Sequence, residues 1–249
     1  MYALSLQDGG HGGKEYFMKV RIKFAKYGVM KFIGHLDTMR FFQKAIRRAG
    51  IDVKYSEGFS PHQIMSFASP LGVGVESYGE YMDIEVLSMT SAEEIKWALN
   101  QVMVDGVEIL SVTLLPDHAK NAMASVSAAS YRLHMKEGRF PVDNLKACIQ
   151  AFYGQETIPY AKETKKSVKE LDLKQGIYEI EGDADGTIRM LVNASSSGNI
   201  KPAMVFEKFC QFAGLDIPLS ACQVTRLETY TDLAGEGEAH RFVPLSEAG

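Results

Sequence analysis

Apolar and charged residues alternate from residue 18 to residue 24, with Met18, Val20, Ile22 and Phe24 set against Lys19, Arg21 and Lys23. A period of two marks a strand with one face buried. The period then changes. Leu36, Met39, Phe42, Ile46 and Ala49 recur at helical spacing and Gly50 supplies a stop, which predicts a helix over residues 36–49. Residues 51–55 read as a short strand, and residues 80–87 alternate again, with Tyr81, Asp83 and Glu85 opposite Met82, Ile84 and Val86. Ser91 and Glu94 form a capping box for a helix over 92–102, and residues 107–115 form a strand before Pro116. The order is β-α-β-β-α-β.

The same order can be read a second time. Residues 131–135 predict a strand, 142–153 a helix, 157–161 and 168–180 extended chain, and 187–192 a strand. Residues 202–213 then predict a helix with Pro202 at its start and Gly214 at its end, followed by a strand over 223–230. The expected fold is therefore α+β, two tandem ferredoxin-like units. Their expected bounds are 18–117 and 131–232, joined by an Ala/Ser-rich linker over 118–130. A flexible leader (1–17) and a tail (233–249) flank them.

Composition excludes several classes. The chain has 249 residues and a mild formal charge of -4. Cys148, Cys210 and Cys222 have no CxxC spacing, which argues against a disulfide framework and against a zinc or iron–sulfur site. No apolar run reaches the roughly 20 residues of a membrane span, and the first stretch lacks the pattern of a secretory signal. The expectation is a cytoplasmic protein with no bound metal or cofactor.

Charge is distributed unevenly. Residues 18–50 carry nine cations (Lys19, Arg21, Lys23, Lys26, Lys31, Arg40, Lys44, Arg47 and Arg48) against one acid, Asp37. Arg40, Lys44 and Arg47 form a stripe along the predicted helix, a pattern that attracts polyanions when it is not merely a solvated face. The segment 55–77 follows it, mixing turn formers with Tyr55, Phe59, Phe67 and His62. It predicts an elaborated hairpin whose Ser60-Pro61 turn holds Phe59 and His62 outward, with Phe67 in the core. Exposed flat side chains can stack on unpaired bases. The candidate RNA-binding set is Lys26, Lys31, His35, Arg40, Lys44, Arg47, Arg48, Tyr55, Phe59, Ser60 and His62. His35 and His62 are also the two candidates for acid–base cleavage of a phosphodiester. No nucleophile triad, P-loop or dinucleotide fingerprint accompanies them. The lysines of residues 162–174 alternate with acids and read as a solvated edge strand.

These residues also carry a resemblance. Tyr27-Gly28, Phe32 to Asp37, Arg40, Arg47 to Gly50, Tyr55 to Pro61, Ser66 to Ala68, Pro70-Leu71, Gly74 to Ser77 and Glu80-Tyr81 are similar to the radical SAM-linked domain of unknown function. So are Lys165-Lys166, Asp172 and Asn199-Ile200-Lys201-Pro202. The chain departs from that pattern at Gln63-Ile64, where a basic residue is expected. The resemblance implies a non-catalytic accessory to a radical SAM protein, acting in modification or maturation of tRNA or rRNA. Tandem ferredoxin-like units are also similar to CRISPR-type RNA-processing endoribonucleases, which makes a metal-independent ribonuclease one alternative. A protein–protein scaffold without nucleic-acid contact is the other.

Overall fold

The first alternating stretch forms a strand, and it begins earlier than its pattern predicts. β2 spans Glu15–Lys26, and β1 (Ser5–Gln7) pairs with its first residues. The computed structural model describes residues 5–7, 15–88, 91–163, 168–235 and 237–248. The chain is mixed α+β, with mostly antiparallel strands and few helices. It divides into two units, residues 1–126 with 229–249, and residues 127–228.

In the first unit a 3₁₀ turn (Gly28–Phe32) leads from β2 into α1 (His35–Arg48), with Gly34 at the N-cap. Gly50 follows α1 with φ 69°, a left-handed conformation that ends the helix without the strain a side chain would bring. β3 (Met65–Phe67), β4 (Glu76–Val86), α2 (Ala92–Asn100) and β5 (Val107–Leu115) complete the set. Ser91 accepts from the Glu94 backbone N–H at 3.1 Å, as its spacing predicts. The strand order is β5-β2-β4-β3, antiparallel throughout. α1 and α2 place Phe42, Ile46, Ile95 and Leu99 in one core with Val20, Ile22, Phe24, Met82 and Ile84, so both helices cover the same face. Each such side chain contributes about 1.5–3 kcal/mol by leaving water.

The strand expected over 51–55 is ragged. Val53 bridges Val86 and Lys54 N donates to Glu85 O, but the chain then leaves the sheet and returns only at Met65, opposite Ile84. An edge strand interrupted by its own protruding hairpin has no continuous period for a sequence to display.

The second unit contains β6 (Ala128–Met135), α4 (Leu145–Tyr153), β9 (Ile177–Gly182), β10 (Ile188–Asn193), α5 (Pro202–Ala213) and β11 (Cys222–Asp232). Its strand order is β11-β6-β10-β9. The extended chain expected over 168–180 is broken. β7 (Pro159–Glu163) and β8 (Val168–Asp172) form a separate ladder, and a 3₁₀ turn (Leu173–Gly176) divides β8 from β9. The solvated edge strand expected over 162–174 corresponds to β8, whose Val168, Lys169 and Glu170 are exposed. Lys165 and Lys166 lie outside the described residues.

The expected linker and tail are both structured. α3 (Ala122–Ser125) buries Ala122 and Ser125, and β6 begins three residues ahead of its expected start. From Thr229 onward β11 belongs to the first unit, where β12 (Phe242–Pro244) pairs with it and Leu245 is fully buried. Arg21 ties both segments to β2. Its guanidinium donates to both carboxylate oxygens of Asp83 (2.8 and 2.9 Å) and to the carbonyls of Lys120, Leu245 and Ala248. One buried cation thus fastens the segment after β5 and the chain's last described turn. Burial pushes the Asp83 carboxyl up, and the guanidinium beside it pulls the other way.

Candidate nucleic-acid interface

The residues from β2 to α1 give the candidate surface its charge, and the fold sorts them by element. Lys26 is buried, its Nζ donating to Ile33 O at 2.9 Å, so it faces no solvent ligand. This corrects its place among the RNA-binding residues: Lys26 holds the 3₁₀ turn against the strand. Lys31 is half-buried and paired with Glu76 at 3.0 Å, which neutralises it locally. His35, the first residue of α1, packs edge-on against Phe67 with ring centroids 5.3 Å apart.

α1 turns Thr38, Phe42, Ala45 and Ile46 inward. Arg40, Lys44, Arg47 and Arg48 are left exposed on the other side, as helical spacing requires. Arg40 pairs with Asp37 at 3.2 Å, and Arg48 donates to Val102 O at 3.2 Å. Lys44 and Arg47 have no ion pair among the described residues. Arg47 and Arg48 also lie in the last turn, where cations favour the negative end of the helix dipole.

The segment from Tyr55 is a hairpin. Tyr55 bridges Gln63, Ser56 N donates to His62 O at 2.8 Å, and Ile64 N donates to Lys54 O at 2.9 Å. The Ser56 hydroxyl holds the far arm, meeting His62 Nδ1 at 2.8 Å and accepting from its backbone N–H at 3.1 Å. Ser60 O lies 3.5 Å from the same Nδ1. Gly58 has φ 109°, which fits glycine alone without strain, and it turns the chain so that Phe59 stands fully in solvent. Tyr55 is exposed by 45% and Ser60 and His62 are exposed as well. Phe67, by contrast, packs near Phe24 and Phe42 at centroid distances of 6.2 and 6.0 Å.

Hairpin and helix meet at Gln63. Its side chain is buried, and Nε2 lies 3.4 Å from Gln43 O on α1 and 3.5 Å from the Tyr55 hydroxyl. The neutral amide where a basic residue was expected therefore serves packing: it anchors the hairpin base beside the exposed face of α1. The two histidines have different surroundings. The recess that His35 lines is shared with Phe24, Lys26, Thr38, Phe67 and Glu80 and does not include His62.

An apolar group beside this surface escaped the sequence reading. Val29, Phe32, Leu36 and Val73 are exposed by 75, 63, 61 and 64%. Gly74 N donates to Lys31 O at 2.9 Å, which brings the Val73 loop to the 3₁₀ turn. For Val29 and Phe32 the signal was the run Gly28-Val-Met-Lys-Phe-Ile-Gly34, whose apolar residues fit neither the strand period before it nor the helix period after it. Leu36, expected in the apolar stripe of the helix, instead stands exposed in its first turn. Among the described residues, no cluster of three or more His, Cys, Asp or Glu has the geometry of a metal site, and no helix is long and apolar enough to cross a membrane.

Residues 19–202 match the profile of a family described as an uncharacterized protein conserved in bacteria (DUF2344). A comparison with curated proteins finds no match. Among solved structures, a crystal structure of a Cbf5-Nop10-Gar1 complex matches at a TM-score of 0.42 and 11% identity, covering 84% of this chain and 48% of that one. A crystal structure of an unknown protein from Galdieria sulphuraria matches at a TM-score of 0.28 and 12% identity, covering 86% and 98%. The chain spans about half the length of the first of these. Neither likeness is close enough to carry a function across.

Proposed function

We propose that this chain, which belongs to the DUF2344 family of uncharacterized bacterial proteins, binds RNA through α1 and its neighbouring hairpin and acts as a non-catalytic accessory to a radical SAM partner. The observation that carries the RNA half is Phe59. A phenylalanine fully in solvent, on a hairpin anchored to a helix with exposed Lys44, Arg47 and Arg48, has little reason in the fold and a clear use as a stacking platform. The surrounding cations supply attraction to phosphates that does not depend on sequence. The accessory half rests on the resemblance of the Phe32–Asp37 and Tyr55–Pro61 stretches to the radical SAM-linked domain. We read each unit as ferredoxin-like, supported by the strand orders β5-β2-β4-β3 and β11-β6-β10-β9.

The exposed apolar group favours a second reading, the scaffold. Val29, Phe32, Leu36 and Val73 are a poor surface for RNA and a good one for a protein. The two readings combine if the partner sits on the apolar group while RNA sits on α1. The test is co-purification of the chain with a radical SAM protein encoded beside it, together with titration of the chain alone with labelled single-stranded RNA. RNA binding with a steep salt dependence, without cleavage, is the expected result. Cleavage by the chain alone, lost in His35→Ala or His62→Ala, would replace the accessory reading with the ribonuclease one. Binding of the partner without any affinity for RNA would leave the scaffold.

A further inference from the structure

The second unit has a cleft that the α1 surface does not use. It holds about 350 Å³ and lies between β8 with the 3₁₀ turn after it and the loop that joins β10 to α5. That volume falls within the usual range of small-ligand pockets, about 300–1,000 Å³. Its apolar part is Leu171, Leu173 and Ile200, and its polar part includes Lys169, Gln175, Asn193, Ser196, Ser197 and Asn199.

The loop is held open from within. Asn193 Oδ1 accepts from Ser195 N at 2.9 Å and from the Ser195 hydroxyl at 2.7 Å, and Ile200 N donates to Asn193 O at 2.8 Å. Ile200 is buried so tightly against Gly176 that a Cβ there would come within 2.3 Å of Ile200 Cδ1. Asp172, the acid on the wall, is already engaged, its Oδ1 accepting from Ile158 N at 2.8 Å and Lys174 N at 3.0 Å. Internal bonding and packing thus account for Asp172, Asn193 and Ile200. They do not account for Ser196, Asn199, Gln175 or Lys169, whose side chains are exposed and make no hydrogen bond among the described residues.

We propose that this cleft binds a ribose-phosphate group, with Lys169 on the phosphate and the amides of Gln175 and Asn199 and the hydroxyl of Ser196 on the sugar oxygens. An apolar floor under a rim of amides and hydroxyls suits a sugar ring, which offers hydroxyls at its edge and carbon at its face. A single ammonium suits one phosphate rather than a run of them. The ribose 2′-OH is what separates RNA from DNA, so the cleft would give the chain a preference that α1 cannot supply. Resting on the RNA reading above, this places a second, discriminating contact in the second unit. The same chemistry would also take a free sugar phosphate.

The experiment uses the full chain and the variants Lys169→Ala with Asn199→Ala, and Ser196→Trp, which blocks the cleft from an exposed position. Three probes are titrated: a single-stranded oligoribonucleotide, the DNA of the same sequence, and ribose 5-phosphate followed by amide NMR shifts at Gly198. The expected result is RNA affinity reduced about tenfold in both variants, the loss of about one charge-assisted contact. DNA affinity should fall less than RNA affinity in both variants, because DNA keeps the phosphate that Lys169 would meet and lacks the 2′-OH, and the Gly198 shift should be lost. Unchanged RNA affinity in both variants would overturn the cleft as an RNA contact while leaving the α1 reading in place. Saturable ribose 5-phosphate shifts with no RNA binding by the wild type would support the cleft and sink the RNA function. Neither ligand binding would end both.

Discussion

On β2, Lys19, Arg21, Lys23 and Lys26 alternate with apolar residues, and on α1, Arg40, Lys44, Arg47 and Arg48 recur at helical spacing. Each run carries four cations, and their fates differ. In the strand, every cation meets a neighbour: Lys19 reaches Asp117 O, Arg21 binds Asp83, Lys23 lies 5.8 Å from the Tyr81 ring centroid, and Lys26 reaches Ile33 O. In the helix all four stay exposed: Arg40 meets only Asp37 one turn away, Arg48 reaches Val102 O, and Lys44 and Arg47 have no ion pair among the described residues. The cause is geometric. A strand side chain stands beside its cross-strand partner, about 4.5–5.5 Å away, and antiparallel pairing puts Arg21 opposite Asp83 and Lys23 opposite Tyr81. A helix side chain outside the buried stripe has chiefly its own neighbours one turn away, as Arg40 has Asp37. A count of cations therefore overstates the binding surface wherever some of them sit on strands.

The sharpest way to test this contrast is to remove one cation of each kind. Arg21→Met should cost about 3–5 kcal/mol of stability in urea melts near neutral pH, because it strands the Asp83 carboxylate in a buried site and frees three carbonyls. The loss should depend on pH with a definite sign. Burial already raises Asp83, and without the guanidinium its folded-state value rises further. Between the unfolded value and that raised value the folded form holds a proton which the unfolded form releases, so the variant loses stability as pH increases. Its deficit should be smaller at pH 4 than at pH 7. An equal deficit at both would mean that Arg21 acts through packing alone. RNA affinity of the folded fraction should be unaffected.

The second test acts on the helix. Arg40→Ala, Lys44→Ala and Arg47→Ala together should leave the melting curve nearly in place and flatten the salt dependence of RNA binding by about two units of slope. A salt slope unchanged from wild type would remove α1 from the interface.

How much of this was legible in the sequence varies with how local each feature is. The α1 face, its glycine stop, the Ser91 cap and the exposed Phe59 follow from residues within a few positions of one another, and each could be read directly. The fate of Lys26 and Arg21 could not. It depends on which strand lies opposite and in what register, and Arg21 meets carbonyls 224 and 227 residues away. Asp83 was visible as a polar residue in an alternating strand, but nothing local assigned it to Arg21. The hairpin within the edge strand was hidden for a related reason. Its two halves are regular only because β4 holds Val53 and Met65 in line across the excursion.

The third test concerns the hairpin against the core beside it. Phe59→Ala should weaken RNA binding by about 1–3 kcal/mol, the usual scale of base–aromatic stacking, without moving the melting temperature. Phe42→Ala, a fully buried ring of the same chemistry, should instead cost about 3–5 kcal/mol of stability. If Phe59→Ala binds RNA as wild type does, the hairpin is only a neighbour of the interface, and the exposed ring needs another partner.

The smallest expected effect comes from the one acid on the basic helix. Asp37 and Arg40 form an exposed pair one turn apart, with side chains 66 and 69% accessible, a geometry that adds little to stability. Asp37 nevertheless lies where it opposes any phosphate drawn to Arg40. Asp37→Asn removes that opposition and frees the guanidinium without deleting a cation. RNA affinity should rise by about two- to threefold at low salt, the gain should fade as salt screens it, and the melting temperature should stay within about a degree of wild type. The substitution has a useful asymmetry, because almost any damage to a surface weakens binding and few changes improve it. A gain that disappears at high salt is hard to attribute to anything but the field of α1. Should Asp37→Asn bind RNA no better at low salt, Arg40 does not contact phosphate, and the interface would centre on Lys44, Arg47 and the hairpin tip instead.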